Sequence, residues 1–265
     1  MWREGLYKNG RFPENSFGDS EKKDYVSPGA KAGATYKING RNYIVANRIA
    51  MERAPMLRDA FLSQRISNQY APGLDQEKIF GGELSYILRT PIFKARLTAY
   101  HTEFKDQVEL RSFYHEDYNT FVNMVMTGIN KTHQGVEAGL EFAVTPSLTA
   151  SAAASFGDFR YTNRPTATTT AENGSVSDIT ETVYIKNFYV PGAQTNGTVG
   201  LAYRLPSYWF FNLNANYFAD SYLDFDPTRR TLRAIDGLYE AGDIEKINEI
   251  TAQEKLSDVV TLDAS

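Results

Sequence analysis

The feature that most constrains this chain is a two-residue alternation of apolar and polar side chains, repeated segment after segment. Phe93, Ala95, Leu97 and Ala99 take one phase, and Lys94, Arg96, Thr98 and Tyr100 take the other. Val136, Ala138, Leu140, Phe142 and Val144 alternate with Glu137, Gly139, Glu141 and Ala143. The pattern returns in Leu148, Ala150, Ala152, Ala154 and Phe156 against Thr149, Ser151, Ala153 and Ser155. It is cleanest where Phe211, Leu213, Ala215 and Tyr217 enclose Asn212, Asn214 and Asn216. Successive side chains of a strand point to opposite faces, so each segment sorts into one apolar and one polar face; a helix would scatter the same residues around its circumference.

The connections add direction. Asn39-Gly40 reads as a two-residue type I′ hairpin turn, since both residues tolerate positive φ. Thr90-Pro91, Thr145-Pro146-Ser147 and Leu205-Pro206-Ser207 read as equally tight, with proline presetting φ and donating no hydrogen bond. Long polar connections fall near 52–76, 110–128, 158–195 and 219–257. Short and long alternate, so up-and-down strands put every tight turn at one end and every long loop at the other.

Eight strands are predicted near 29–38, 41–51, 77–90, 93–109, 129–144, 147–161, 196–205 and 208–219, and a ninth begins at 258–265. Several reach about ten residues, above the ~5–6 usual in soluble sheets and near the ~9–11 that cross a bilayer. Their polar phase carries Asn, Glu, Lys and Arg along whole strands. Tyr36, Tyr43, Tyr86, Phe93, Phe142, Tyr203, Tyr208, Trp209, Tyr217 and Phe218 gather near strand ends, where interfacial girdles sit. The predicted fold class is all-β: an antiparallel up-and-down transmembrane β-barrel, present in part, with short periplasmic turns and long extracellular loops. A soluble antiparallel sandwich also alternates and is the competing architecture.

Composition narrows the function. Nowhere do the ~18 consecutive apolar residues of a membrane helix occur. The net charge of −4 speaks against a nucleic-acid partner. With no cysteine, there is no disulfide framework or thiolate metal site. His101, His115 and His133 show no metal-ligand spacing, and there is no G-x-S-x-G nucleophile elbow. The chain is therefore expected to be no enzyme and to need no cofactor. Met1–Gly5 lacks the apolar core of a secretory signal, and the chain stops within a strand at Thr261–Ser265. Both ends together suggest a fragment.

Several short stretches carry a family signature. Arg53-Ala54-Pro55 precedes Leu57-Arg58-Asp59-Ala60-Phe61, and Leu74-Asp75-Gln76-Glu77-Lys78 precedes Glu83-Leu84-Ser85-Tyr86. Ala99-Tyr100 leads to Phe104-Lys105-Asp106, Gly135-Val136-Glu137 opens a strand, and Asn214–Phe218 is followed by Arg229-Arg230-Thr231. In this order and at hairpin spacing the chain resembles the C-terminal half of the barrel of TonB-dependent outer-membrane transporters, of the kind abundant in Bacteroidetes. Gln76 stands where that pattern has proline, and Ser85 where it has glycine. The resemblance implies a barrel of roughly 22 strands with a plugged lumen, of which residues 1–265 form a partial domain without the plug. It also implies active uptake of a large nutrient, whether ferric siderophore, haem, cobalamin, glycan or peptide. The partners it implies are outer-membrane lipid, the plug of the same protein and the TonB-ExbB-ExbD coupling system. A passive or structural barrel is the alternative.

Within that frame Lys94, Arg96, Glu137, Glu141, Asn212, Asn214 and Asn216 are candidates to face the lumen. Glu137 and Glu141 are too far apart on one strand, at ~13–14 Å, for a paired acid–base site. They should instead pair with Lys or Arg or with the plug, and the three asparagines should form a polar wall. Tyr70, Tyr114, Tyr118, Tyr189 and Tyr222 supply aromatic surface in the loops, for ligand contact or loop packing. Asp220, Asp224 and Asp226 are weak calcium candidates. His101 reads as a solvated interfacial side chain. A short amphipathic helix is predicted within 236–256 from Ile244, Ile247 and Ile250.

Overall fold

A computed structural model describes residues 2–6, 20–63, 69–115, 119–171, 179–205 and 207–265. Among these, strands run over β1 (Trp2–Leu6), β2 (Lys23–Ser27), β3 (Gly29–Lys37), β4 (Asn42–Arg53), β5 (Glu77–Arg89), β6 (Phe93–His115) and β7 (Thr120–Thr145). They continue as β8 (Leu148–Tyr161), β9 (Thr166–Ala171), β10 (Ile179–Thr182), β11 (Gly192–Arg204), β12 (Phe210–Tyr222) and β13 (Val259–Ala264). Helices α1 (Leu232–Glu240) and α2 (Ile244–Thr251) lie between the last two strands. β1 and β2 form a separate antiparallel pair. The main sheet runs β3-β4-β5-β6-β7-β8-β11-β12-β13, every neighbour antiparallel, with the β9–β10 hairpin attached to β7. It is an open sheet, with β3 and β13 at its edges.

Three of the tight turns share one device, a side-chain oxygen that accepts from backbone N–H groups across the turn. Gly40 does not adopt positive φ, so Asn39-Gly40 is not a type I′ turn. Residues 38–41 make a wider loop in which the Asn39 Oδ1 accepts from the backbone N–H of Arg41 (2.9 Å) and of Asn42 (3.0 Å). These side-chain bonds add to the backbone bond from the Ile38 N–H to the Asn42 carbonyl (3.0 Å), a habit of asparagine in turns. Thr90 Oγ1 accepts from the Phe93 N–H at 2.9 Å, and Thr145 Oγ1 from the Leu148 N–H at 3.0 Å. Pro206 lies outside the described residues; around it, Leu205 donates to the Trp209 carbonyl.

The predicted long loops are more ordered than their polarity suggested. Of 110–128, the residues 110–115 belong to β6 and 120–128 to β7, so among the described residues this stretch is mostly paired strand and not a loop. In 158–195, β8 persists to Tyr161, β11 starts at Gly192, and the β9–β10 hairpin stands between them. The single helix predicted in 236–256 is two, starting at Leu232 and broken at Ala241–Asp243. The Asp243 carboxylate caps the second by accepting from the Lys246 N–H at 3.0 Å.

The burial of the wall is inverted relative to a water-soluble sheet. Pairs directly opposite in the ladder share a face, so the registers trace one apolar surface through Tyr86, Leu97, Ala138, Ala154, Gly197 and Tyr217, and through Leu140, Ala152, Val199, Ala215 and Leu262. Leu97, Leu140, Val199, Leu213 and Leu262 are all exposed, whereas Ser85 and Thr98 on the opposite face are buried. A soluble sandwich would bury the first set, and soluble monomers rarely expose a contiguous apolar surface this broad. Phe142, Tyr203, Trp209 and Phe211 stand exposed near the short-turn end, and Phe156 and Tyr217 toward the other.

Candidate functional site: the polar face and its outer rim

The polar face is a ladder of cross-strand contacts. The Lys94 ammonium lies 2.6 Å from the Glu141 carboxylate, its partner in register. Arg96 donates to Thr98 Oγ1 (3.1 Å) and Ser85 Oγ (3.2 Å), whose hydroxyls are 2.8 Å apart, and lies 3.8 Å from Glu83. Asn47 donates to Glu83 at 2.8 Å, carrying the chain onto β4. Glu137 stands between Thr98 and Ser155 in register. On the far side Asn216 accepts from Thr198 (2.8 Å) and donates to Asp263 (2.7 Å) and Thr261 (3.2 Å). Asn212 donates to Ser265 Oγ at 3.3 Å, and Asn214 is paired with Gly200 and Asp263 in register. The seven polar candidates therefore share one face, and most are engaged with other residues of the wall.

Higher on the same face the ladder steps through two bulges. Between the pairs Phe104–Lys131 and Gln107–Ile129, β6 has one residue more than β7; between Gln107–Ile129 and Glu109–Met126, β7 has one more. Asp106 (φ 59°) and Gly128 (φ 70°) mark the two insertions. Bulges release backbone groups from the ladder, and side chains take them up here. Asn130 Oδ1 accepts from the Asp106 N–H (3.0 Å), and Asn163 accepts from the Asn130 N–H and donates to the Gly128 carbonyl (2.7 Å).

Around this joint lie His133, Phe159, Arg111 and Glu77, to which the sequence alone assigns no role in a site. His133 packs between Phe104 (centroids 5.1 Å apart) and Phe159 (4.7 Å). Gly135 and Gly157 are paired in register; a Cβ at the first would meet the Tyr100 hydroxyl, and at the second the Phe159 ring. The glycine pair thus leaves a notch in which both rings lie along the wall, and it is the one sequence signal that marks them. Arg111 bonds Glu109 and Asp224, donates to the Phe225 carbonyl (2.7 Å) and covers the Phe225 ring at 4.9 Å. Glu77, almost fully buried, is held by Arg53 and Gln107.

A family model described as TonB dependent receptor-like, beta-barrel matches residues 9–235. The chain belongs to the TonB-dependent receptor β-barrel family. Among curated proteins none matches it. Among solved structures it is similar to the FrpB iron transporter from Neisseria meningitidis (F3-3 variant), at 16% identity over 76% of this chain and 28% of that one, with TM-score 0.47. It is also similar to the Ralstonia pickettii toluene transporter TbuX, at 12% identity over 99% of this chain and 69% of that one, TM-score 0.43. A third is the P. putida toluene transporter TodX, at 11% identity over 76% of this chain and 55% of that one, TM-score 0.39. The chain thus spans little more than a quarter of the length of FrpB.

In this receptor barrel the loop tyrosines are engaged in packing. Tyr70 stacks on Phe61 at 4.6 Å and donates to the Glu21 carbonyl at 2.7 Å. Tyr189 stacks on Tyr222 at 4.1 Å, and its hydroxyl accepts from Arg160 at 2.6 Å. Tyr114 remains half exposed, edge-on to Phe121 at 5.6 Å. Tyr118 lies outside the described residues. The calcium candidates do not converge. Asp220 pairs with Lys255 (2.6 Å), Asp224 with Arg111 (2.9 Å), and Asp226 caps the Thr228 N–H (2.9 Å). Among the described residues no group of three or more His, Asp or Glu side chains could hold a metal ion. The hydrogen bond that the Lys255 ammonium donates to Asp220 holds its pKa above the usual value. Burial pushes the Arg230 guanidinium down where it donates to the Ile250 and Ala252 carbonyls, both at 2.9 Å. His101 is exposed and lies 3.1 Å from Gln134.

Proposed function

We propose that this chain is part of the barrel wall of an outer-membrane receptor that takes up a large nutrient by TonB-dependent active transport. The observation that carries the reading is the inverted sheet: an exposed apolar face running from β3 to β13, backed by a bonded polar face, in a chain of the receptor-barrel family. Lipid satisfies the apolar side, and a wet, plugged lumen satisfies the polar side. Lys94, Arg96, Glu137, Glu141, Asn212, Asn214 and Asn216 then line the lumen against the plug. The plug and the TonB-ExbB-ExbD system supply the energised step. The cargo belongs to the set of ferric siderophore, haem, cobalamin, glycan or peptide. No catalytic role is assigned to the chain.

The test is uptake by cells carrying the full-length protein, with and without a functional TonB. Active transport predicts uptake that stops when TonB is removed. Uptake that continues unchanged identifies a passive channel and overturns the proposal.

A further inference from the structure

The outward, apolar face of the wall is uncharged from strand to strand, with one exception. On β6 it runs Phe93, Ala95, Leu97 and Ala99, and on β8 from Leu148 to Phe156, before His101, Gln134 and Asp158 open a bonded polar row. On β5 it runs from Leu88 to Phe80. On β4 the same face carries Ile44, Ala46, Arg48, Ala50 and Glu52, since Ala46 pairs with Leu84 and Arg48 with Gly82. Among the described residues, Arg48 is the one charged side chain within this apolar band.

Arg48 shares a ladder row with His101 and Asp158, yet it lies deeper. Barrel strands tilt by roughly 35–45°, so a row climbs as it crosses the wall. The short turns give the common base. Arg48 stands six residues above Asn42, whereas His101 stands eight above Phe93 and Asp158 ten above Leu148. Six residues above those same bases lie Ala99 and Ala154, both inside the band. Glu52 begins the polar end of β4 four residues beyond Arg48, so the outer leaflet is the nearer one.

The Arg48 side chain is exposed and has no hydrogen bond, ion pair or ring contact among the described residues. No carboxylate of these residues, Glu52 included, comes within 4.0 Å of it. Its neighbours are Ala32 and Gly82 across the ladder and Ala46 and Ala50 along the strand, all too short to cover it. A charge facing hydrocarbon is costly unless an anion meets it, so an unpaired arginine there marks a contact. The guanidinium fork matches the paired oxygens of a phosphate, the anion that membrane lipids carry at the edge of the band. The small neighbours form no groove that would fix a rigid protein partner, whereas a mobile lipid can sink beside them.

We propose that Arg48 binds the phosphate of an outer-leaflet glycolipid and draws that headgroup down against β4. The proposal goes beyond the uptake reading and needs only its lipid-facing wall.

The probe is lipid A, titrated into the full-length protein in uncharged detergent and followed by native mass spectrometry, beside lipid A stripped of its phosphates. The phosphorylated form should bind at least tenfold more tightly. Arg48→Leu supplies an ordinary lipid-facing side chain and should weaken that binding at least tenfold, with Arg48→Gln as the second variant if the first does not fold. Arg48→Lys, which keeps the charge without the fork, should fall between. Equal binding of the two lipids, or indifference to the loss of Arg48, would overturn the proposal. Phosphatidylglycerol bound more tightly than lipid A would assign Arg48 to the inner leaflet and overturn it as well. So would a dimer that Arg48→Leu separates, because the residue would then serve a protein contact. The comparison of the two lipids needs no variant. TonB-dependent uptake without a phosphate preference sinks this contact alone; a phosphate preference without TonB-dependent uptake sinks the transport reading alone.

Discussion

β6 and β7 pass through two regions in which the same strands obey opposite rules. In their lower halves Leu97 and Leu140 are 51% and 48% exposed, and apolar and polar residues alternate without a break. In the upper half of β7 every residue from Val122 to Thr127 is buried. There Met124, Met126 and Ile129 join Tyr161, Val183, Ile185 and Phe225 in one cluster, while Val125 joins Leu62 and Ala71 in another. Protein covers both faces above, whereas lipid is the proposed cover for one face below. The apolar residues of the wall are placed for a solvent, and those of the head for a core. The two bulges at Asp106 and Gly128 sit where one regime gives way to the other.

The comparison breaks most decisively if the head turns out not to be a core of its own. Phe225 is buried against Tyr161 (5.3 Å) and Phe188 (6.1 Å). Phe225→Ala should cost about 3–5 kcal/mol there, as for other buried aromatic truncations. Hydrogen exchange on the full-length protein should show lost protection over 122–129 and 161–190 with protection over 93–99 unchanged. Loss in both places would make head and wall a single cooperative unit.

The next largest effect tests the wall. Leu97→Arg should cost ~2–4 kcal/mol if Leu97 faces the middle of the bilayer, and Arg96→Leu, one residue away, much less. Measured as denaturant unfolding in lipid vesicles, equal costs would remove the distinction between the two faces.

The same contrast explains what could be read in advance. Where one face meets lipid, alternation is forced, so the sequence of 93–99, 136–144 and 211–217 carried strand, register and face together. Where both faces are covered, alternation is no longer required. Phe121-Val122-Asn123-Met124-Val125-Met126 therefore has no two-residue period, and the expectation of a polar loop over 110–128 fails there. Lys131 and Gln107 are hidden for a related reason. Lys131 sits in phase with ordinary lumen residues, whereas Gln107 falls on the opposite phase of β6 and only the insertion at Asp106 returns it to their face. At Asn39-Gly40 the tolerance of both residues for positive φ permits a type I′ turn without requiring one. The Asn39 carboxamide closes the loop without it.

The smallest effect concerns the joint itself. Gly128 has φ +70° and no atom within 4 Å of where a Cβ would stand. Gly128→Ala therefore introduces no clash, only left-handed backbone strain, for which about 1–2 kcal/mol is expected. Asp106, the matching insertion on β6, already carries such a conformation with a side chain, held by Lys78 at 3.0 Å. If the joint separates two independently satisfied regions, the strain should appear as faster exchange near Asn130 and Asn163, whose side chains serve the bulge. It should fade within a few residues on the lipid side, leaving Ala138–Phe142 unaffected. A neutral Gly128→Ala would mean that β7 can slide its extra residue elsewhere, so that the bulge does not hold the boundary in place. Exchange spreading down to Phe142 would mean that the register of the wall is set from above, by the head, instead of by its own lipid-facing alternation.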